Sequence, residues 1–184
     1  MRIIAGKFRG RKLQEFDIDS TRPTLDRIKE PLFSILAPYM DGAHVLDLFS
    51  GTGNLALESI SRGASFAWAN DINKRALKVI IGNVRLTGTE NCVKITGKDY
   101  TKCLKQIHEE GRKFDVIFLD PPYEVKFESK ILELIVEYDL LNKDGIIVLE
   151  SDKRKEININ IPGLNLKDER IYGRVVIRFY ELEE

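Results

Sequence analysis

At 184 residues, 43% of them hydrophobic, the chain can bury one substantial core and is short for two. Its 29 basic and 29 acidic side chains cancel, which excludes a uniformly polyanion-coating protein and leaves only local patches to recruit a charged partner. No stretch approaches the ~20 apolar residues of a membrane span, and two cysteines with two histidines fall at no metal-ligand spacing. The expectation is a single domain over residues 1–184, cytoplasmic, with no membrane partner, no metal, and Cys92 and Cys103 reduced and structural.

Residues 1–12 hold Arg2, Lys7, Arg9, Arg11 and Lys12 without an acid, a basic patch on a neutral body. Strand-like pieces at 2–5 and 11–13 flank the glycine-bounded GKFRG (6–10), so a small basic β-hairpin within residues 1–20 is the economical reading. Phe8 at its tip either stacks on a base or covers the core edge, and the cations either meet nucleic acid or are solvated. Next, Leu25, Ile28, Leu32, Ile35 and Leu36 recur at helical steps behind Thr24, a plausible N-cap; Pro31 should kink or restart this helix. Arg22, Arg27 and Lys29 add cations to the segment.

From Val45 onward strands and helices alternate. An apolar run at 45–49 leads through a small-residue turn into a helix that Gly63 stops. Phe66–Asn70 is a strand ending in Asp71, followed by a helix over 73–86 with Leu77, Ile80, Ile81 and Val84 on one face. Val93–Thr96 ends near Asp99, a helix follows over 100–110, and Val116–Leu119 ends in DPPY (120–123). A further helix (127–138) and a strand (145–150) complete a βαβα series, the mark of a mostly parallel sheet with helices on both faces. After a charged break at 151–156, strands over 164–172 and 174–180 join through Gly173, a connection short enough to demand antiparallel pairing.

The turn SGTG (50–53) is the chemical centre of this series. Gly51 and Gly53 permit a tight bend and close approach of a ligand to main-chain N–H groups at the head of the next helix. GTGNLA (51–56) satisfies the dinucleotide pattern, and Asp71 lies 20 residues beyond Gly51, so a nicotinamide-dependent oxidoreductase is a serious competitor. Asp47, four residues before Gly51, separates the readings: it would repel a pyrophosphate and suit the ammonium and sulfonium charges of S-adenosylmethionine.

DPPY points the same way. Two prolines stiffen the turn and offer carbonyls without competing N–H groups, at the sheet edge where open α/β folds place ligands. An exocyclic base amine is a poor nucleophile because its lone pair is delocalised. Hydrogen bonds to the Asp120 carboxylate and the Pro121 carbonyl would orient it for attack on a methyl group, and Tyr123 would give the base a face to stack on.

These residues resemble known motifs. LDLFSGTG (46–53) with DPPY is similar to the motif pair of class I S-adenosylmethionine-dependent amino-methyltransferases. RIIAGKFRGRKL (2–13), TRPTLDRIKE (21–30) and the closing Tyr172-Gly173 resemble, in order and spacing, the bacterial 16S ribosomal RNA guanine-N2 methyltransferases over almost the whole chain. The resemblance implies a Rossmann-like class I methyltransferase fold: α/β, a seven-stranded mostly parallel sheet with an antiparallel last strand, helices on both faces, and a small N-terminal β-hairpin.

It implies S-adenosyl-L-methionine as cofactor and 16S rRNA as partner, within a small-subunit particle or assembly intermediate, for a monomeric enzyme. Carried over by motif, Asp47, Phe49, Gly51, Gly53, Asp71, Asn73 and Asp99 would hold the cofactor. Asp120, Pro121, Pro122 and Tyr123 would hold the guanine, and Arg2, Lys7, Arg9, Arg22, Thr24 and Arg27 would face RNA. Ser50, Asn54 and Ala56 depart from the family's more usual Ala, Ala and Gly, and Arg174 stands where a smaller or acidic residue is usual. A DNA adenine-N6 or cytosine-N4 methyltransferase, using the same DPPY, and a non-catalytic rRNA-binding assembly factor remain as alternatives.

Overall fold

The structure, a computed structural model, describes residues 1–15, 24–121, 127–154 and 160–183, the side chains of 24–27 and 127 excepted. Twelve elements follow in order: α1 (Thr24–Met40), β1 (His44–Asp47), α2 (Asn54–Ser61), β2 (Phe66–Asn70), α3 (Lys74–Thr87), β3 (Val93–Thr96), α4 (Tyr100–Glu109), β4 (Phe114–Leu119), α5 (Phe127–Glu137), β5 (Leu141–Asp152), β6 (Leu164–Tyr172) and β7 (Val175–Leu182). The strands form one seven-stranded sheet in the order β3-β2-β1-β4-β5-β7-β6. The first five are parallel, whereas β7 runs antiparallel to both β5 and β6. This is the expected architecture, reversed last strand included.

Strand alternation divides the core in two. Val45, Ala67, Val116, Phe118, Val148 and Phe179 face α1, α2 and α3, which contribute Ile28, Leu32, Phe33, Leu36, Leu57, Ile80 and Val84. Leu46, Trp68, Ile117, Leu119 and Leu149 point the other way, onto Cys103, Leu104 and Ile107 of α4 and Ile131, Leu132 and Ile135 of α5. The Cys103 thiol is buried among them, and both cysteines are free.

Several local expectations change. Helix α1 runs through both Pro31 and Pro38 to Met40. A mid-helix proline costs about 3 kcal/mol, less than the burial of Leu32, Phe33 and Leu36 around it returns at roughly 1.5–3 kcal/mol each. Ile81, placed by periodicity on the inner face of α3, is 38% exposed. Strand β5 begins at Leu141, because Asn142-Lys-Asp-Gly145 is taken up as an irregularity opposite Phe114 and Val116. It also continues into the charged break, where Ser151 and Asp152 pair with Val176 and Val175.

The N-terminal segment forms one antiparallel bridge, Arg2 to Lys12, closed by Ile3 N–H to Arg11 O at 3.0 Å and Gly10 N–H to Ile3 O at 2.8 Å. Ile3 and Leu13 join the core and Phe8 packs against its edge, so the covering role is the one observed for that ring. Gly6, at φ 80°, presses on the end of α2 so closely that a Cβ there would lie 1.8 Å from the Ser61 carbonyl oxygen. Only glycine fits both constraints.

Candidate active site

Strand order sets four carboxylates in a row. The carboxyl ends of β3, β2, β1 and β4 lie side by side at ~4.8 Å spacing, and the chain leaves them through Asp99, Asp71, Asp47 and Asp120 respectively. From β1 the sheet is built outward in both directions, so the β1/β4 junction is its switch point, where open α/β sheets form a crevice. Asp47 and Asp120 flank that junction.

Asp47 is only 3% exposed. Its Oδ2 accepts from Ser50 Oγ at 2.8 Å and from Ala56 N–H at 3.2 Å. Burial, reinforced by the neighbouring charges of Asp120 and Asp71, pushes its carboxyl up to about 7, although those two hydrogen bonds pull the other way. Ser50, one of the departures from the family pattern, thus braces Asp47. Asp71 is fixed from both oxygens, Oδ2 accepting from Gly51 N–H and Oδ1 from Asn73 N–H, each at 2.8 Å. Its carboxyl is also raised by burial.

These bonds bear on the dinucleotide reading. A pyrophosphate needs free N–H groups at the head of α2. Here the Ala56 amide is turned to Asp47, the Gly51 amide to Asp71 and the Gly53 amide to Ser50 O. Two of these amides thus answer the protein's own carboxylates, whose charge would repel a pyrophosphate. Beside Gly51, at φ 56°, the space a Cβ would enter is open, so a ligand can lie against the turn while the acids around it favour a cation.

The remaining cofactor candidates line the same edge. Phe49 is partly buried with its ring 6.2 Å from that of Tyr100. Asn73 caps α3, its Oδ1 accepting from Arg75 N–H, and Asp99 caps α4 through Thr101 N–H at 3.0 Å. Asp120 follows β4 directly and is half-buried, and Pro121 is buried. Pro122, Tyr123 and Arg22 lie outside the described residues, as do the side chains of Thr24 and Arg27. Arg2, Lys7 and Arg9 are exposed on the N-terminal segment, with Lys7 Nζ 5.5 Å from the Phe8 ring centre.

Sequence reasoning missed the anchor of that segment. Lys29 is not a surface cation but fully buried, because its ammonium reaches Arg2 O and Asn54 Oδ1 at 2.7 Å and Glu58 Oε2 at 3.0 Å. Glu58, also fully buried, accepts from Ile4 N–H, Ala5 N–H and Arg62 Nε as well. Burial opposes its ionisation, but the Ile4 amide, the Lys29 charge and Arg62 hold its carboxyl below the usual range. Asn83 of α3 continues the seam, accepting from Gln14 N–H and donating to Gln14 O and Thr52 O. A glutamate on the inner face of a short helix was the available signal, since such an acid needs a buried partner.

Comparison with known proteins agrees with this fold. Residues 1–181 match the family model described as Conserved hypothetical protein 95. Ribosomal RNA small subunit methyltransferase D of Haemophilus influenzae is 33% identical over 182 residues, spanning 98% of this chain and 93% of that protein. Its Escherichia coli namesake is 30% identical over 183 residues, spanning 100% and 90%. The solved structure of the Escherichia coli protein yhhF is similar with a TM-score of 0.88 at 30% identity, covering 100% of this chain and 98% of that one. By the family match along nearly its whole length, this chain belongs to the family of the ribosomal RNA small subunit methyltransferase D proteins.

Proposed function

We propose that the protein transfers a methyl group from S-adenosyl-L-methionine to the exocyclic N2 amine of one guanine in 16S rRNA. The relatives' names support an rRNA methyltransferase. The observation that carries the reaction class is the Asp47 carboxylate seated at the head of α2 beside Asp120, a site shaped for a cation and for N–H donors rather than for phosphate. When bound, the cofactor supplies a sulfonium-activated methyl group, and everything else falls to the chain.

In this reading Asp47, with Phe49, Gly51 and Gly53, receives the positively charged methionine end. Asp71 and Asn73 take the ribose, and Asp99 the adenine amine. Asp120 and the Pro121 carbonyl accept the two N–H bonds of the guanine amine, which fixes its orientation and favours the pyramidal nitrogen that can attack. The amine becomes cationic as it is methylated, so the Asp120 carboxylate stabilises the developing charge and receives the proton without a histidine. Pro122 and Tyr123 complete the base pocket, and Arg2, Lys7, Arg9, Arg22, Thr24 and Arg27 form the RNA-facing surface. The working unit is one monomeric domain, acting in the cytoplasm on a small-subunit particle or assembly intermediate.

The test is radiolabelled methyl transfer to naked 16S rRNA, small subunits and protein-bound partial assemblies, with the modified base mapped. Label in a single guanine N2 is expected. Transfer to DNA instead, or NAD(H) binding in calorimetry where S-adenosylmethionine does not bind, overturns the reading.

A further inference from the structure

Away from the carboxylate row, at the other end of α2, the N-terminal segment and α1 enclose a cavity of about 590 Å³. Arg2, Arg9 and Arg62 line it, with Ser34 and Glu30 of α1 and residues 3–5. Helix α2 has eight residues, so the cavity lies about 12 Å along its axis from the glycine turn.

Arg62 is built into this wall. Its Nε donates to buried Glu58 at 2.7 Å, and its guanidinium lies 4.8 Å from the Phe33 ring centre, stacked on the core. Those contacts fix the plane of the fork and use one of its five N–H groups. Arg2 and Arg9 have no ion pair among the described residues. Glu58 is already shared between Lys29 and Arg62, so the cavity is lined by three arginines and, of acids, by Glu30 alone. A held guanidinium plane with flanking cations is the arrangement that receives a phosphate, and the Ser34 hydroxyl beside it is engaged with the Glu30 carbonyl at 2.9 Å.

We infer that this cavity is a phosphate subsite that grips the backbone of the RNA strand beyond the target nucleotide. The inference rests on the RNA reading above and adds to it: the N-terminal cations close over a floor supplied by Arg62 rather than acting as a loose basic fringe. A phosphate held one helix length from the glycine turn gives the RNA a second fixed point, and two points set register where one sets only position.

The test uses charge changes on the exposed cavity residues Ser34 and Glu30, which leave the core alone, and on Arg62, whose bond to buried Glu58 requires that variant's fold to be checked by urea unfolding. Binding of a small-subunit rRNA transcript is followed by fluorescence anisotropy at about 50 and 200 mM salt, a range over which each phosphate contact is visible. Ser34→Asp is expected to weaken binding about 10-fold, Glu30→Gln to strengthen it 2- to 5-fold, and Arg62→Gln to lower the salt slope by about 1. Ala37→Asp, exposed on the same helix but outside the cavity, should change affinity less than 2-fold. Unchanged binding in Ser34→Asp and Glu30→Gln, or equal weakening by Ala37→Asp, overturns the subsite.

Methyl incorporation by the unmodified protein on the same transcript and on partial assemblies separates the two conclusions. Methyl transfer with cavity-independent binding removes the subsite and keeps the enzyme. Cavity-dependent binding without methyl transfer on any particle does the reverse.

Discussion

The two ends of α2 are opposites. At its head, carboxylates crowd together and answer one another with backbone amides, and burial drives Asp47 and Asp71 toward their neutral forms. At its tail, cations crowd around one buried carboxylate that is held ionised. Unlike charges at the tail satisfy each other and make an anchor. Like charges at the head do not, and the unmet field is what a cationic ligand would relieve. Stability and ligand affinity are thus drawn from the same helix in different ways.

The largest expected effect breaks the tail. Glu58→Ala removes the acceptor of two amides, Lys29 and Arg62 at once and strands a buried ammonium, for a loss of about 3–5 kcal/mol in urea unfolding. At the head the sign reverses. The Asp47 carboxyl is raised from 3.8 to about 7, so the native state holds its proton more tightly than the unfolded chain does. Its contribution therefore favours folding below pH 4, is lost as pH rises from about 4 to about 7, and is flat above. Asp47→Asn should flatten that part of the stability profile, by on the order of 4 kcal/mol at most, while weakening the cationic cofactor in calorimetry. Glu58, with its carboxyl depressed, acts oppositely: its contribution is present above the ordinary glutamate range and is lost as pH falls through its lowered value.

Next in size, Asp120→Ala should cut turnover by roughly 10²–10³-fold with cofactor affinity nearly intact, measured by single-turnover methyl transfer beside calorimetry. Normal turnover would remove Asp120 from the chemistry. The smallest effect sharpens the tail: Lys7→Gln, at an exposed cation outside the anchor, should reduce the salt slope of RNA binding by about 1 without moving the melting temperature.

What was legible in the sequence follows from range. Strands β2 and β3 match to the residue because the one is a largely apolar run and the other alternates Val93 and Ile95 with Lys94 and Thr96, each bounded by turn chemistry. The carboxylate row was legible too, since topology alone puts the residues after parallel strands at one edge. The ends of β5 were not: Asn142 to Gly145 carry turn composition, and Ser151-Asp152 carry charge and polarity, yet pairing with β4 and β7 makes strand of both. The burial of Lys29 was hidden for the same reason. A lysine in an amphipathic helix is ordinarily solvated, and what buries this one is a carboxylate 29 positions later on another helix. The bracing of Asp47 by Ser50 was equally hidden, because substitution of a small residue says nothing of a hydrogen bond until the turn is folded.

The closeness of Gly6 to Ser61 has a consequence in time as well as space. Beyond their own bridge, the first fifteen residues are tied down by partners remote in the chain: Ile4 and Ala5 bond Glu58, Phe8 bonds Ser61 and Gln14 bonds Asn83. Docking of this segment therefore requires α2 and α3 to be in place, and closes a long loop. Hydrogen exchange should find its amides opening at lower free energy than those of β1 and β4. The surface proposed to meet RNA is thus expected to open before the strands that carry the carboxylate row.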